Sequence, residues 1–326
     1  MRTPVSRVGN KTSILHILYA LFPLEYSRFV DVFGGSGSVL LGQPTEAPFE
    51  VYNDFDRDLV NLFRCMRDRN FAFLQALGFH TINARDDFDV WKQIIQGGME
   101  DIASKYMKED MELTEIMLQP ATAQEARQLL LSKAEDCDVR RAATFFKLQR
   151  FSYASKGKSF AGVPFDLGKL SDLIQQTEKR LKNVVIENQD FQTLIEHYDR
   201  EETFFYLDPP YLDTEHMYDV PFDWEDHLRL HETLGKIQGR FLLSYNDCPE
   251  IRKLYRGYAM FGFKRDHPMT HQFKKGEQYP ELLIGNYDIY ERERARPVQL
   301  DLFGMADDGD FVYEKVLKDH MITRKK

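Results

Sequence analysis

Residues 27–41, SRFVDVFGGSGSVLL, predict a strand, a glycine loop and a helix in direct succession. The run from Ser27 to Phe33 is typical of a short buried strand. It stops at the segment GGSG, and SVLL then begins a helical pattern. Because glycine has no side chain, such a loop lets a ligand approach the backbone closely. The stretch therefore favours an α/β fold with a ligand beyond the carboxyl end of the strand.

The same alternation continues along the chain. Further strand-like segments occupy residues 49–54, 183–190, 203–208, 240–247, 259–264 and 281–287. Helical patterns separate most of them, and an earlier helix is predicted over 12–22, with Thr12 or Ser13 as its cap. Alternating strands and helices predict a mostly parallel sheet covered on both faces. No helix separates the last two strands, so we expect an antiparallel edge.

A long stretch without this alternation lies between the second and third strands. It is rich in charged residues and helix formers, and it ends in a basic, aromatic segment with several Gly and Ser residues. We therefore predict a catalytic domain of residues 1–64 and 166–290, an inserted and mostly helical domain of residues 65–165, and a mobile C-terminal tail of residues 291–326.

Charge is distributed unevenly over the 326 residues. The net charge of −9 by itself disfavours a nucleic-acid partner. However, residues 140–182 contain ten Lys or Arg against three acids, whereas residues 100–138 contain ten acids against four bases. A basic block within an acidic chain suits a contact surface for a polyanion, and it equally suits a solvated face.

The cysteines and the N-terminus indicate a cytoplasmic protein. Cys65, Cys137 and Cys248 lie far apart and form no CxxC pair, which favours free thiols. The N-terminus lacks the apolar core of a signal peptide, and the longest apolar stretch is too short to span a membrane. We expect no association with a membrane.

No metal is expected. Two pairs of histidines stand four residues apart: His227 with His231, and His267 with His271. For neither pair does the sequence suggest a third residue that could complete a metal site. For His227 and His231 an exposed helix face is the better interpretation.

Acidic residues mark the ends of several predicted strands. Asp54, Asp190 and Asp208 each close a strand, and Asp31 lies near the end of the first one. In open α/β sheets this edge binds ligands, and Asp54 is placed as an acid that binds ribose hydroxyls. The loop after Phe33 lacks the third glycine of GxGxxG and the Lys-Ser/Thr of a P-loop. A dinucleotide oxidoreductase and an NTPase are therefore disfavoured.

Together these segments resemble the Dam-type (DPPY, alpha-group) DNA adenine-N6 methyltransferases of bacteria and phages. The similarity is carried by RVGNKTSILHIL and RFVDVFGGSGSV, and later by VVIENQDF, FFYLDPPY, FLLSYND and ELLIGNY. It covers most of residues 5–60 and 140–290, with the glycine loop first, an insertion next and DPPY last, as in that family. The resemblance implies a Rossmann-like seven-stranded methyltransferase fold with an inserted target-recognition domain. It also implies S-adenosyl-L-methionine as cofactor and double-stranded DNA as substrate, and it admits a cognate restriction endonuclease as partner.

The resemblance also implies roles for individual residues. The cofactor would be bound by Arg7, Lys11, Phe33, Gly35, Gly37, Asp54, Asp190, Phe191 and Asp208. The catalytic residues would be Asp208, Pro209 and Tyr211. DNA contacts would come from Arg150, Tyr153, Lys156 and Lys158. The chain departs from the family pattern at Arg7, where the family often has an aromatic residue, and at Val32, where it often has proline.

The DPPY tetrapeptide suits the chemistry of an adenine amine. The lone pair of that amine is delocalised into the ring, so acceptors for its N–H bonds would make the nitrogen more nucleophilic. Asp208 offers a carboxylate, and Pro209 offers a carbonyl whose direction the double proline fixes. Tyr211 offers a flat surface on which a base flipped out of the helix can stack.

Three alternatives remain open from the sequence. The chain could be an RNA adenine-N6 methyltransferase, a catalytically silent protein that binds cofactor or DNA, or an unrelated nucleotide-binding oxidoreductase. Intact Asp208 and Lys11 argue against lost catalysis, and the missing third glycine argues against the oxidoreductase.

Overall fold

The computed structural model of the chain describes residues 1–5, 7, 9–79, 85, 88–89, 92, 95, 137–152, 167–212, 222–266 and 278–295. The chain forms two compact units. The first consists of Met1–Thr12, Gly35–Gln43 and Asn53–Asn188, and the second of Ser13–Gly34, Pro44–Tyr52 and Gln189–Lys326.

Among the residues that the structure describes, seven strands form one sheet in the order β3-β2-β1-β4-β5-β7-β6. They are β1 (Arg28–Asp31), β2 (Phe49–Asn53), β3 (Val184–Glu187), β4 (Thr203–Leu207), β5 (Arg240–Asn246), β6 (Ala259–Asp266) and β7 (Gln278–Gly285). Strand β1 pairs in parallel with β2 and β4, and β4 pairs in parallel with β5, whereas β7 is antiparallel to both β5 and β6. The predicted α/β class, the seven strands and the antiparallel edge are confirmed. The insertion of the last strand between β5 and β6 was not anticipated.

The described helices lie between most of these strands, as predicted, and also before the first strand and after the last one. They are α1 (Leu15–Leu21), α2 (Ser38–Gly42), α3 (Arg57–Asp68), α4 (Asn70–Phe79), α5 (Val139–Phe151), α6 (Leu167–Leu181), α7 (Phe191–Tyr198), α8 (Trp224–Leu234), α9 (Pro249–Leu254) and α10 (Glu291–Arg294). Within the described ranges, each of them falls short of the length and hydropathy that a membrane span requires.

The start of the first helix differs from the prediction. A 3-10 turn over Thr12–Ile14 precedes α1, and α1 begins without a side-chain cap. The side chain of Asn10 instead accepts a hydrogen bond of 2.7 Å from the backbone N–H of Thr12. The predicted cap at Thr12 or Ser13 is therefore wrong, because an Asx turn begins the segment two residues earlier.

The burial of the central strands explains why their sequences are continuously apolar. All five residues of β4 are buried, and Phe204 contacts the rings of Phe22 and Phe29 at centroid distances of 4.7 and 5.8 Å. Parallel strands covered on both faces have no solvent side, so polar alternation is lost. Each fully buried phenylalanine contributes about 1.5–3 kcal/mol. This core fixes the end of β4, where Asp208 follows.

In the first unit, α3 and α4 pack against α5. The side chain of Asn61 on α3 donates to the Asp138 carbonyl and accepts from the Asp138 N–H, both at 2.9 Å, so it fixes the start of α5. Cys65 and Met66, also on α3, are buried. The predicted boundary between residues 64 and 65 thus falls inside a helix, although the division into domains itself stays a prediction.

The beginning of the predicted C-terminal tail is held in place within the second unit. Helix α10 lies beside α1. Arg292 donates to the carbonyls of Phe22 and Pro23 at 2.7 and 2.6 Å, and Glu291 accepts from the N–H of Leu24 at 2.7 Å. Residues 291–295 are therefore an anchored helical turn.

Candidate active site

The glycine loop of the first unit depends on backbone conformations that glycine alone adopts readily. Gly35 and Gly37 have φ angles of +52° and +68°. A Cβ atom at Gly37 would also meet the ring of Phe63 at 3.0 Å. Any larger residue here would be strained by its backbone and crowded by α3. The loop is therefore a tight cradle.

Asp54 closes the loop from the end of β2. One carboxylate oxygen accepts from the N–H of Gly35 and the other from the N–H of Asp56, both at 2.8 Å. Asn188 supports the same turn by donating to the Asp54 carbonyl at 2.8 Å. Burial raises the pKa of the Asp54 carboxyl, although nearby Arg7 and the two backbone bonds oppose that shift. Each oxygen keeps a lone pair that can accept from a hydroxyl.

The N-terminal segment is fastened to the same loop. Lys11 is buried, its N–H donates to Ser38 Oγ at 3.3 Å, and its ammonium donates to the Gly9 carbonyl at 3.3 Å. Arg7 forms an ion pair of 2.8 Å with Asp56. The other carboxylate oxygen of Asp56 accepts from the first turn of α3. Five of the predicted cofactor residues thus belong to one bonded region, in which Arg7 is held by Asp56.

In the second unit, three aromatic rings form a cluster after the strand ends. Phe33 lies 5.7 Å from Phe191 and 5.9 Å from Phe222, and the latter two are 5.8 Å apart. The guanidinium of Arg229 lies over the ring of Phe191 at 4.0 Å. Such a cation–π contact fixes the ring of Phe191. Phe191 and Phe222 are buried, whereas Phe33 is half-buried, so the exposed part of the cluster is mainly the ring of Phe33.

Asp190 is held by the same arginine. Its two oxygens accept from Arg229 at 2.7 and 2.9 Å, and one of them also accepts from Gln192 N–H at the start of α7. Burial tends to raise the pKa of Asp190, but the bonds from Arg229 and the backbone outweigh it, and the pKa is lowered. Asp226 binds Arg229 at 2.8 Å from the other side. Asp190 is therefore an ionised acceptor in a fixed orientation.

The DPPY segment directly follows β4. Pro209 is buried, whereas Asp208 and Tyr211 are half-buried. The Tyr211 hydroxyl donates to Glu281 Oε2 at 2.6 Å and lies 3.0 Å from Ser244 Oγ. Burial and the Glu281 and Asp208 carboxylates raise the pKa of Tyr211 well above its ordinary value. The phenol therefore stays protonated and donates.

Sequence reasoning missed four residues of these regions: Arg229, Phe222, Ser244 and Glu281. Ser244 and Glu281 lie within FLLSYND and ELLIGNY, which were interpreted as strands and as parts of the family resemblance, with no role for single residues. A signal was present, because a carboxylate in a strand that is otherwise apolar requires a buried partner. The residues next to Arg229 in the sequence do not reveal its bond to Asp190.

One interpretation is wrong. His227 is fully buried rather than part of an exposed helix face, since its ring packs against Phe222 and its Nδ1 lies 2.6 Å from the hydroxyl of Tyr245. His231 is half-buried, and His267 and His271 lie outside the described residues. Within the described part of the chain, no three His, Cys, Asp or Glu side chains are grouped as metal ligands.

The predicted DNA contacts are only partly within the described ranges. Arg150 lies near the end of α5 and is half-buried. Tyr153, Lys156 and Lys158 lie outside the described residues. The four contacts stay predictions.

Residues 8–269 match the model of the D12 class N6 adenine-specific DNA methyltransferase family. The chain belongs to this family. It is an enzyme that methylates adenine in DNA, and the predicted resemblance and activity are confirmed at that level. The match extends over the glycine loop, the insertion and the DPPY segment.

Curated relatives align with this methyltransferase along nearly their whole length. The type II methyltransferase M.CviBI of Paramecium bursaria Chlorella virus NC1A is 23% identical over 299 residues, covering 88% of this chain and 100% of the relative. M1.LlaDCHI of Lactococcus lactis subsp. cremoris is 21% identical, covering 86% and 93%. M.MjaIII of Methanocaldococcus jannaschii is 26% identical, covering 86% and 96%. Both are also named type II methyltransferases.

Proposed function

We propose that this methyltransferase transfers the methyl group of S-adenosyl-L-methionine to the N6 amine of an adenine flipped out of double-stranded DNA. Asp208, Pro209 and Tyr211 hold the base. The observation that carries the proposal is the anchoring of the Tyr211 hydroxyl to Glu281 and Ser244, directly after the double proline. A side chain tied at both ends presents a fixed surface, which is what a flipped base requires.

Each region by itself has groups that suit a part of the cofactor. The loop at Gly37 would be crowded by a Cβ atom, and Asp54 has lone pairs that can accept from ribose hydroxyls. In the second unit Asp190 offers a fixed acceptor for an adenine, and Phe191 lies beside it in the aromatic cluster. The proposal assigns the ribose to Asp54, the adenine to Asp190 and Phe191, and the methionine part to Phe33, Gly35 and Gly37. Lys11 and Asp208 are also assigned to the cofactor, whereas Arg7 stays a weaker candidate.

The protein supplies orientation and hydrogen-bond acceptors. The cofactor, when bound, would supply a methyl group on a sulfonium, from which a neutral thioether can leave. The Asp208 carboxylate and the Pro209 carbonyl would accept from the N6 amine, so that its lone pair is less delocalised into the ring, and the amine would release one proton on methylation. Tyr211 stacks on the ring and limits its rotation, and holding the reacting atoms in line lowers the barrier.

The partners follow from the family and its relatives. We propose that Arg150, Tyr153, Lys156 and Lys158 contact DNA, since a basic and aromatic segment suits phosphates and bases. Three relatives are named type II methyltransferases. We therefore also propose that this enzyme protects one short cytoplasmic DNA sequence against a cognate restriction endonuclease.

The experiment is to express the chain in a host without adenine methylation and to sequence its DNA by a long-read method. We expect N6-methyladenine in one short motif, and Asp208→Ala should remove the mark at unchanged melting temperature. Glu232→Ala, an exposed acid on α8, is the matched control and should keep it. The proposal fails if Asp208→Ala still methylates, or if folded wild-type protein marks no DNA.

A further inference from the structure

Glu281 is an acid in an apolar strand. It is only 2% exposed, and the next three residues, Leu282, Leu283 and Ile284, are fully buried. Removing a carboxylate from water is costly unless it is paired or hydrogen-bonded. Its position therefore depends on the groups that face it.

The antiparallel placement of β7 decides which groups those are. Glu281 lies opposite Asn246 in the β5–β7 pair, and Ser244 lies opposite Leu283. Because alternate residues share a face of the sheet, Ser244 and Glu281 are diagonal neighbours on one face. Both reach the hydroxyl of Tyr211, which follows the adjacent strand β4.

The bond from Tyr211 to Glu281 has a defined direction. Tyr206, Asp208 and Ser244 also face this pair electrostatically, and burial together with the nearby carboxylates raises the pKa of Tyr211 and keeps the phenol protonated. The hydroxyl therefore donates to Glu281 Oε2, at a short distance of 2.6 Å. Pro209 and Pro210 fix their own φ angles directly before Tyr211, and the hydroxyl is bonded at the far end of the ring, so the ring is held from both sides.

We propose that Glu281 is a positioning residue for methyl transfer. It fixes the plane of the Tyr211 ring, so that the flipped adenine meets a surface already oriented for reaction. This inference rests on the proposed role of Tyr211 in holding the base. DNA affinity comes largely from phosphate contacts elsewhere, whereas small displacements of the reacting atoms act on the rate. Glu281 therefore acts on kcat and leaves the affinity for DNA nearly unchanged.

The test is a double-mutant cycle between Tyr211→Phe and Glu281→Leu, with Glu281→Gln as the conservative variant. The substrate is an unmethylated DNA duplex that contains the motif in which the enzyme methylates adenine. We expect Glu281→Leu and Tyr211→Phe each to lower kcat by about 10- to 100-fold, while the Kd for DNA changes less than about 2-fold. The double variant should be no slower than either single one, because both remove the same bond. Glu281→Gln should recover most of the rate, since its amide oxygen still accepts.

A second measurement separates positioning from stability. In a duplex with 2-aminopurine at the target position, an ordered aromatic ring quenches the flipped base. We expect brighter emission in complexes of Glu281→Leu and Tyr211→Phe than in the wild-type complex. Leu282→Ala, on the same strand, is the matched control: it should lower the melting temperature and keep kcat and emission at temperatures well below melting.

The results that would contradict the role of Glu281 differ from those that would contradict the proposed function. A kcat of Glu281→Leu within about 2-fold of wild type, or losses that add in the double variant, would overturn the inference. If Glu281→Leu does not fold, Tyr211→Phe decides, because it keeps the ring and removes only the donor, and an unchanged kcat again overturns the inference. A wild-type protein without methylation would refute the proposed function instead.

Discussion

The glycine-loop region and the DPPY region hold their functional groups by opposite means. Around Gly37 the chain excludes side chains, and backbone N–H groups orient Asp54. Around Tyr211 it buries a side-chain carboxylate and a hydroxyl, and the bond between them orients the ring. The difference implies that the first region is sensitive to added volume, whereas the second is sensitive to a lost hydrogen-bond partner.

The largest expected effect comes from added side-chain volume in the glycine-loop region. Gly37→Ala forces a positive φ on alanine and places its Cβ 3.0 Å from Phe63. The backbone costs about 1–2 kcal/mol and the crowding about 1–3 kcal/mol, so we expect the free energy of unfolding to fall by about 2–5 kcal/mol. Urea denaturation measures this loss, and titration calorimetry with S-adenosyl-L-methionine should show weakened binding.

The two causes can be separated by a compensating change. Phe63→Leu opens space at the contact, so the double variant Gly37→Ala with Phe63→Leu should be less destabilised than the sum of the two single changes. Full additivity would mean that the backbone angle alone carries the cost.

A smaller effect is expected when the charge of Asp54 is removed from the glycine-loop region. Asp54→Asn keeps the shape but loses one acceptor oxygen. One of the two backbone N–H groups then loses its acceptor, so we expect the free energy of unfolding to fall by about 1–2 kcal/mol. We expect the Kd for S-adenosyl-L-methionine to rise about 10-fold. Calorimetry and urea denaturation measure the two quantities, and a large loss of stability with unchanged affinity would contradict the comparison.

The same carboxylate gives a pH dependence of known sign. Burial raises the pKa of Asp54, so it takes up a proton at a higher pH than an ordinary aspartate does. Cofactor affinity should fall as the pH is lowered, beginning above the usual aspartate range, and Asp54→Asn should abolish this dependence. A raised pKa means that the folded state holds the proton more tightly, so this group adds stability as the pH falls. The affinity loss is therefore not unfolding.

The smallest effect is expected at Arg7. Its ion pair with Asp56 is partly exposed, and Asp56 caps α3 through its other oxygen. Arg7→Ala should cost no more than about 1 kcal/mol of stability. Cofactor affinity should change less than about 3-fold, a small free energy on the usual scale. A 10-fold loss would show that Arg7 contacts the cofactor after all.

The parts predicted well are those in which local pattern and tertiary structure agree. Apolar runs such as TFFYL must be buried, so β4 was recognised, and the acid behind it followed from its position. Gly37 was predicted to belong to the site because a glycine loop directly after a strand lets a ligand approach the backbone closely. Residues that are neighbours in the sequence are enough for both predictions.

The parts missed depend on partners distant in sequence. Nothing near Glu281 reveals that β7 enters beside β5, 70 residues after Tyr211, and this alone gives the acid its partner. Arg229 binds Asp190 across 39 positions. The burial of His227 was missed for the same reason, since its partner Tyr245 lies 18 positions later, on strand β5.

The position of β7 also sets an order on synthesis. A ribosome delivers β4 and its DPPY segment long before residues 278–285, so β5 remains an open sheet edge until the last strand is made. Such an edge can pair with other chains, and pairing over a long sequence separation is slow. The acid that locks Tyr211 arrives on the strand that closes this edge. The nascent enzyme therefore gains its fixed tyrosine and the strand that covers β5 in a single late step.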